Sequence, residues 1–141
     1  MRYVLDASVT VTRLLGEEHA DIARQLVART RSGVDQTIAP DFYLAECGHA
    51  LFRAERRKLI APGEARTLLL TIDPDCPQLH LSEPLLRRAA AICGHLRKSF
   101  YDCLYMALAQ REQVQLITAD TKLVKAAQPD YPFVIDLANF A

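Results

Sequence analysis

The sequence has no surplus of charge of either sign. Its 141 residues carry 17 Lys and Arg against 17 Asp and Glu. No bulk basic field therefore exists to draw in nucleic acid, and any such role must rest on local patches. Candidates are Arg53, Arg56, Arg57 and Lys58; Arg87 and Arg88; Arg97 and Lys98; Lys122 and Lys125. Each reads equally well as a solvated helix face or end. No apolar run reaches the ~18 residues of a membrane span, and the start, Met1 to Asp6, lacks the long apolar stretch of a signal peptide. Cysteine is sparse. Cys47, Cys76, Cys93 and Cys103 include no Cys-x-x-Cys pair, and Cys76 with His80 or Cys93 with His95 matches no zinc-ligand spacing. Cys47 and Cys103 fall within apolar helical patterns, where a free thiol acts as a small hydrophobe. These absences predict a cytoplasmic protein in a reducing compartment, with no membrane segment. No repeat, linker or low-complexity tract divides the chain, so a single domain over 1–141 is expected.

What is present alternates between two periods. Residues 2–5 form a short apolar run that ends in Asp6-Ala7-Ser8, the pattern of a buried strand turning into a helix. Helices are expected at 9–15 and 18–31, then a second strand at 37–40 that Pro40 stops, then a long helix over 41–58. Pro62 is placed at the first turn of a helix over 62–71, where proline is tolerated. The prolines of 73–77 mark a loop, and 79–81 is a third strand. Ser82 is expected to cap a helix running to about 97, with Glu83 and Pro84 in its first turn. Residues 101–112 form a helix that is apolar almost all round, 115–118 a fourth strand, and 133–135 a fifth after a short helix from Asp120. Short apolar strands alternating with helices predict an α/β fold built on a parallel sheet.

In such sheets ligands bind beyond the carboxyl ends of the strands, and that rule selects residues. Asp6 follows the first strand and Asp120 the fourth, so both belong on one rim, although Asp is also a favoured helix N-cap. Asp102 lies in Ser99-Phe100-Tyr101-Asp102-Cys103-Leu104-Tyr105-Met106. A helix apolar on every side is a buried helix, and a buried carboxylate needs a partner, a metal or a shifted pKa. Ser99 and Asp102 also fit a capping box, which would satisfy free backbone N–H groups. Glu46 points away from the stripe of Leu44, Cys47, Gly48 and Leu51, and reads equally as a surface glutamate or a partner of Arg53.

Taken together, four segments resemble the blocks of PIN domains, in family order and over nearly the whole chain. They are Val4-Leu5-Asp6-Ala7-Ser8, then Pro40 followed by Ala45-Glu46-Cys47-Gly48-His49-Ala50-Leu51, then Tyr101 to Ala109, then Leu116-Ile117-Thr118-Ala119-Asp120. The length is similar to that of VapC toxins from bacterial and archaeal toxin–antitoxin pairs. The resemblance implies a three-layer α/β/α fold around a mostly parallel five-stranded sheet. It implies that Asp6, Glu46, Asp102 and Asp120 form an acidic pocket, supported by the hydroxyls of Ser8 and Thr118. It also implies a homodimer and a small VapB-like antitoxin that covers the site. Some relatives have one more acid near the fourth position; here that neighbourhood offers only Thr118 and Thr121.

The chemistry suits the residues. A phosphodiester repels an attacking hydroxide, and its leaving alkoxide needs stabilisation; Mg²⁺ or Mn²⁺ addresses both. Hard cations of this kind take carboxylate oxygens and retained waters. The expectation is a metal-dependent endoribonuclease, with Asp6 and Asp102 as direct ligands and Glu46 and Asp120 completing the pocket, directly or through water. Three other readings compete. A haloacid-dehalogenase-like phosphatase needs Asp-x-Asp after the first strand, where this chain has Asp6-Ala7-Ser8. A receiver-like domain needs a phosphoacceptor ending a middle strand, yet the second and third strands end in Ala39-Pro40 and Leu81-Ser82. The last is a PIN-like domain that binds RNA or a partner without cutting.

Overall fold

A computed structural model describes residues 1–140. Five strands form one sheet: β1 (Arg2–Leu5), β2 (Gln36–Pro40), β3 (Gln78–His80), β4 (Gln115–Thr118) and β5 (Val134–Asp136). The spatial order is β3-β2-β1-β4-β5 and every pairing is parallel. Seven helices accompany them: α1 (Ala7–Leu15), α2 (Ala20–Arg31), α3 (Tyr43–Arg56), α4 (Glu64–Leu69), α5 (Leu86–His95), α6 (Phe100–Glu112) and α7 (Thr121–Ala127). All five expected strands are present, and the α/β/α architecture holds. Right-handed crossovers put the helices joining β1 to β2 to β3 on one face of the sheet, and those joining β3 to β4 on the other.

The core follows from composition. β1 buries Tyr3, Val4 and Leu5, and β4 buries Leu116, Ile117 and Thr118. Near-continuous burial marks strands covered on both faces. The α6 helix, apolar all round in sequence, buries every residue from Cys103 to Ala109 and packs across β1, β2 and β4. Gly16 ends α1 in the left-handed region at φ 65°, a conformation that costs glycine little, and so turns the chain into α2.

Two helix starts differ from expectation. Ser82 does not cap the long helix. Its backbone is itself helical (φ −77°, ψ −30°), whereas an N-cap is extended, and its hydroxyl donates to the Asp41 carboxylate. Glu83–Leu85 make a 3₁₀ turn around Pro84, and α5 begins only at Leu86. Likewise Pro62 lies ahead of α4. Gly63, at φ 85°, is the N-cap, and the Glu64 carboxylate accepts from the Ala61 N–H. Among the described residues no helix is long and apolar enough to cross a membrane, and all four cysteines are free.

The strand order fixes where a site can form. From β1 the chain moves to β2 on one side, while β4 lies on the other. The gap between β1 and β4 is thus a topological switch point, where a crevice opens beyond the carboxyl ends of the strands. Asp6 leaves β1 at this point, its N–H bonded to the Ile117 carbonyl of β4.

Candidate active site

The crevice is a cleft of about 790 Å³, lined by Asp6, Glu46, Asp102 and Asp120 together. The starts of α1, α3, α6 and α7 each contribute an acid, so residues far apart in sequence share one wall. Ser8, Val11 and Thr12 of α1, Phe42 and Ala45, and Tyr101 fill the spaces between them. No Lys or Arg lines the cleft, and none of the four acids forms an ion pair among the described residues.

Asp6 is buried at the N-cap position of α1 but makes no side-chain cap bond. Its Oδ2 instead accepts from Ser8 Oγ at 2.8 Å and from Thr118 Oγ1 at 2.6 Å. Burial raises the Asp6 carboxyl pKa, the two hydroxyls pull it back, and the Asp120 charge pushes it up again. Thr118 also accepts from the Asp120 N–H at 3.1 Å, and Ser8 Oγ accepts from the Ala119 N–H at 2.9 Å. The two hydroxyls therefore tie the end of β4 to the start of α1 and fix one oxygen of Asp6.

Asp102 has both features its sequence allowed. Ser99 caps α6, accepting from the Asp102 N–H at 3.1 Å, while the Asp102 carboxyl lines the cleft. Burial and then the Asp6 charge push that carboxyl from 3.8 up to about 6. Asp120 caps α7, where its Oδ1 accepts from the N–H groups of Lys122 and Leu123. One of its oxygens is thus engaged in the helix terminus. Glu46 does not pair with Arg53. It sits half-buried beside the Tyr105 hydroxyl, which opposes the rise in its pKa. Burial dominates, aided by Asp6 and Asp102, and carries it from 4.5 up to about 7.

Sequence reasoning alone misses three residues of the site: Glu17, His49 and Tyr105. Glu17 and His49 line the cleft. Nothing in sequence separates Glu17 from its neighbour Glu18; the left-handed turn at Gly16 does. His49 lies about one helical turn after Glu46, so its place follows once Glu46 is on the wall. The Tyr105 hydroxyl lies 3.4 Å from the Ala7 N–H and beside Glu46. Its spacing from Asp102 by three residues is the signal that could have found it.

Among the described residues no three Asp, Glu, His or Cys side chains converge into a preformed metal cage. That arrangement still fits a hard divalent cation. Mg²⁺ is commonly held by one or two carboxylates, with waters and substrate phosphate completing its shell. The donors here are carboxylate oxygens, none of them in an ion pair among the described residues. The raised pKa values of Asp6, Glu46 and Asp102 reflect burial and neighbouring negative charge that a cation would relieve.

Comparison with known proteins agrees with the fold. The family model described as PIN domain matches residues 3–129. Ribonuclease VapC1 of Mycobacterium tuberculosis, in two strains, is 34% identical over 137 residues, covering 96% of this chain and 97% of the relative. The crystal structure of PAE2754 from Pyrobaculum aerophilum matches with a TM-score of 0.71 at 19% identity, over 98% of this chain and 85% of that one. VapBC2 from Rickettsia felis, solved bound to a DNA fragment from their promoter, matches with a TM-score of 0.60 at 16% identity, over 96% of this chain and 97% of that one. At these identities the two structures bear on the fold alone.

Proposed function

The chain belongs to the PIN-domain family, in its VapC branch, and from that premise we propose that it is a divalent-metal-dependent endoribonuclease, the toxin of a VapBC-type pair. One observation carries the metal-dependent part. Asp6, Glu46, Asp102 and Asp120 line a single cleft at the switch point of a parallel sheet, and no cationic side chain lines it with them. Four carboxylates so placed repel a phosphodiester unless a cation stands between.

Asp6 and Asp102 are the direct metal ligands in this reading. Glu46 and Asp120 complete the pocket, Asp120 through the oxygen that its helix cap leaves free. A bound Mg²⁺ or Mn²⁺ supplies a water of lowered pKa and neutralises charge as the phosphodiester is hydrolysed. Ser8 and Thr118 hold the Asp6 carboxylate in one orientation, so little reorganisation remains when substrate arrives. Tyr105 braces Glu46 from behind. Val11, Phe42 and Tyr101 line the cleft beside the acids.

The partners follow from the same reading. A small antitoxin would cover the cleft with a basic segment, since an arginine guanidinium can pair bidentately with these carboxylates and displace the metal. The protein would act in the cytoplasm as a homodimer. The purified chain, freed of antitoxin, should cleave RNA in Mg²⁺ or Mn²⁺ and stop in EDTA. Asp6→Asn or Asp102→Asn should abolish cleavage while leaving the far-ultraviolet circular dichroism unchanged. Undiminished cleavage by the double variant would sink the assignment of the site. Binding of RNA without any metal-dependent cleavage by the wild-type chain would favour a non-catalytic PIN domain.

A further inference from the structure

An RNA strand entering this cleft finds no Lys or Arg along its walls. Protein–nucleic acid affinity comes largely from cations that neutralise backbone phosphates, so those cations must lie outside the cleft. A second pocket, of about 560 Å³, lies around the same helix. Arg13 of α1 and Arg24 and Arg31 of α2 line it. Val11 and Thr12 face the acidic cleft while Arg13, the next residue, faces the second pocket. From Ser8 to Arg13 the axial rise is only ~7.5 Å. On α2, Arg24 and Arg31 are seven residues apart, two turns along one face, with the small side chain of Ala28 between them.

The charges in this pocket are not balanced. Asp75 is the one carboxylate that pairs there among the described residues. It binds Arg31 through two hydrogen bonds of 2.6 and 2.7 Å, and Arg13 approaches it only to 3.9 Å. Arg24 has no ion pair among the described residues. Arg13 is largely buried, its side chain 14% exposed, and its Nε is one of two buried side-chain nitrogen or oxygen atoms without a hydrogen-bond partner among the described residues. An unsatisfied buried N–H of a charged group is costly. A planar donor fork with spare N–H groups is suited to phosphate oxygens.

We propose that Arg13, Arg24 and Arg31 form a binding site for a backbone phosphate of the RNA strand, a short distance from the phosphate that enters the acidic cleft. This rests on the ribonuclease reading and adds the residues that hold the substrate. The pocket works by position: it anchors the strand on the far side of α1 and offsets the repulsion from the carboxylates.

The test measures binding of a short fluorescein-labelled single-stranded RNA by anisotropy, as a function of salt, in the Asp102→Asn background. Arg24→Glu should weaken binding about tenfold at low salt. It should also flatten the log–log salt slope by about 0.7 to 1 for each phosphate left without its cation. In the otherwise wild-type chain the same change should raise KM for RNA and leave kcat in place. Arg13→Gln should act in the same direction, and a thermal melt confirms that it still folds. Arg66→Glu is the control, because it changes net charge equally at an exposed position on α4 outside the pocket and outside every basic cluster of the sequence. Loss in Arg24→Glu with none in Arg66→Glu supports the site. Equal loss in both, or wild-type affinity and KM in Arg24→Glu, overturns it while cleavage by the wild-type chain still stands. A wild-type chain that neither binds nor cleaves RNA instead sinks the ribonuclease reading, and this proposal with it. Inorganic phosphate separates the sources of the ligand. If phosphate raises the melting temperature of wild type and not of Arg24→Glu, yet RNA affinity is the same in both, the pocket takes free phosphate and the placement of RNA is wrong.

Discussion

Replacing Asp102 with Asn should stabilise the metal-free protein, and the gain should depend on pH. The folded carboxyl is raised from 3.8 to about 6, chiefly by burial and then by Asp6. A raised folded pKa means that the native state holds the proton more tightly than the unfolded chain does. The associated stability is fully present below the ordinary value of 3.8 and is lost as pH rises through about 6. The difference corresponds to roughly 3 kcal/mol. Water reaches this half-buried group, and screening reduces the figure to about 1.5–2 kcal/mol. One effect opposes the gain. Ionised Asp102 lies in the first turn of α6, where a negative charge near a helix N-terminus is worth about 0.3–1 kcal/mol. The desolvation cost exceeds that, so Asp102→Asn should gain about 1 kcal/mol above the folded pKa, roughly 3–5 °C in Tm for a domain of this size. Below 3.8 the two proteins should melt together, because both then carry a neutral side chain at this position. The assay is a series of thermal melts in EDTA across that range. A gap that does not change with pH would refute the electrostatic account. A variant that melts lower than wild type at neutral pH would show that the carboxylate serves the helix terminus more than it burdens the cleft.

Excess Mg²⁺ should reverse that order. At a hundredfold excess over Kd, binding stabilises wild type by about 2.7 kcal/mol, and Asp102→Asn should forfeit most of that rise in a thermal melt with and without the ion. Glu46→Gln should flatten the fall of stability between pH 4.5 and about 7, because Glu46 is raised across that window in the same direction as Asp102. Thr118→Val removes the hydroxyl that donates to Asp6 Oδ2 and accepts from the Asp120 N–H. Urea unfolding should show a loss of about 1.5–3 kcal/mol at unchanged m-value, with reduced cleavage, and Thr118→Ser should recover both. Leu108→Ala, fully buried on α6, should cost about 2–5 kcal/mol in the same measurement, without shifting the pH dependence of the cleft.

The sheet is legible in the sequence because each strand is short, apolar and closed by a recognisable stop, Asp6 after Leu5 and Pro40 after Ala39. The order of the strands is not. The receiver-like reading turns on whether an aspartate ends the second or third strand in the chain, yet β1, first in the chain, is the centre of the sheet. Asp6 therefore does end a middle strand, and family membership, not strand order, decides against that rival. The helix starts expected at Ser82 and Pro62 fail because a proline-bearing turn precedes each helix; at Ser82 a tertiary bond to Asp41 also takes the side chain that would have capped it. Glu46 is the least legible acid. Helical periodicity separates an apolar stripe from everything else, and a glutamate off that stripe faces either solvent or another element. Only the packing of α3 against α1 turns its face into a cleft wall, so no feature of residues 43–56 alone distinguishes the two.

The same packing explains why hydroxyls and caps recur around the acids. Each carboxylate comes from the start of a helix: Asp6 and Asp120 where strands give way to helices, and Glu46 and Asp102 in the first turns of α3 and α6. Helix N-termini face this rim because parallel strands feed their crossover helices from the carboxyl end. Their free N–H groups and positive dipole ends lower the cost of collecting negative charge there. That help is incomplete, since Asp102 and Glu46 remain raised to about 6 and about 7. The remainder is the electrostatic room into which a cation fits. If it were absent, as in a cleft whose caps fully compensated its acids, divalent metal would stabilise the protein little, and the melts in Mg²⁺ and EDTA would coincide.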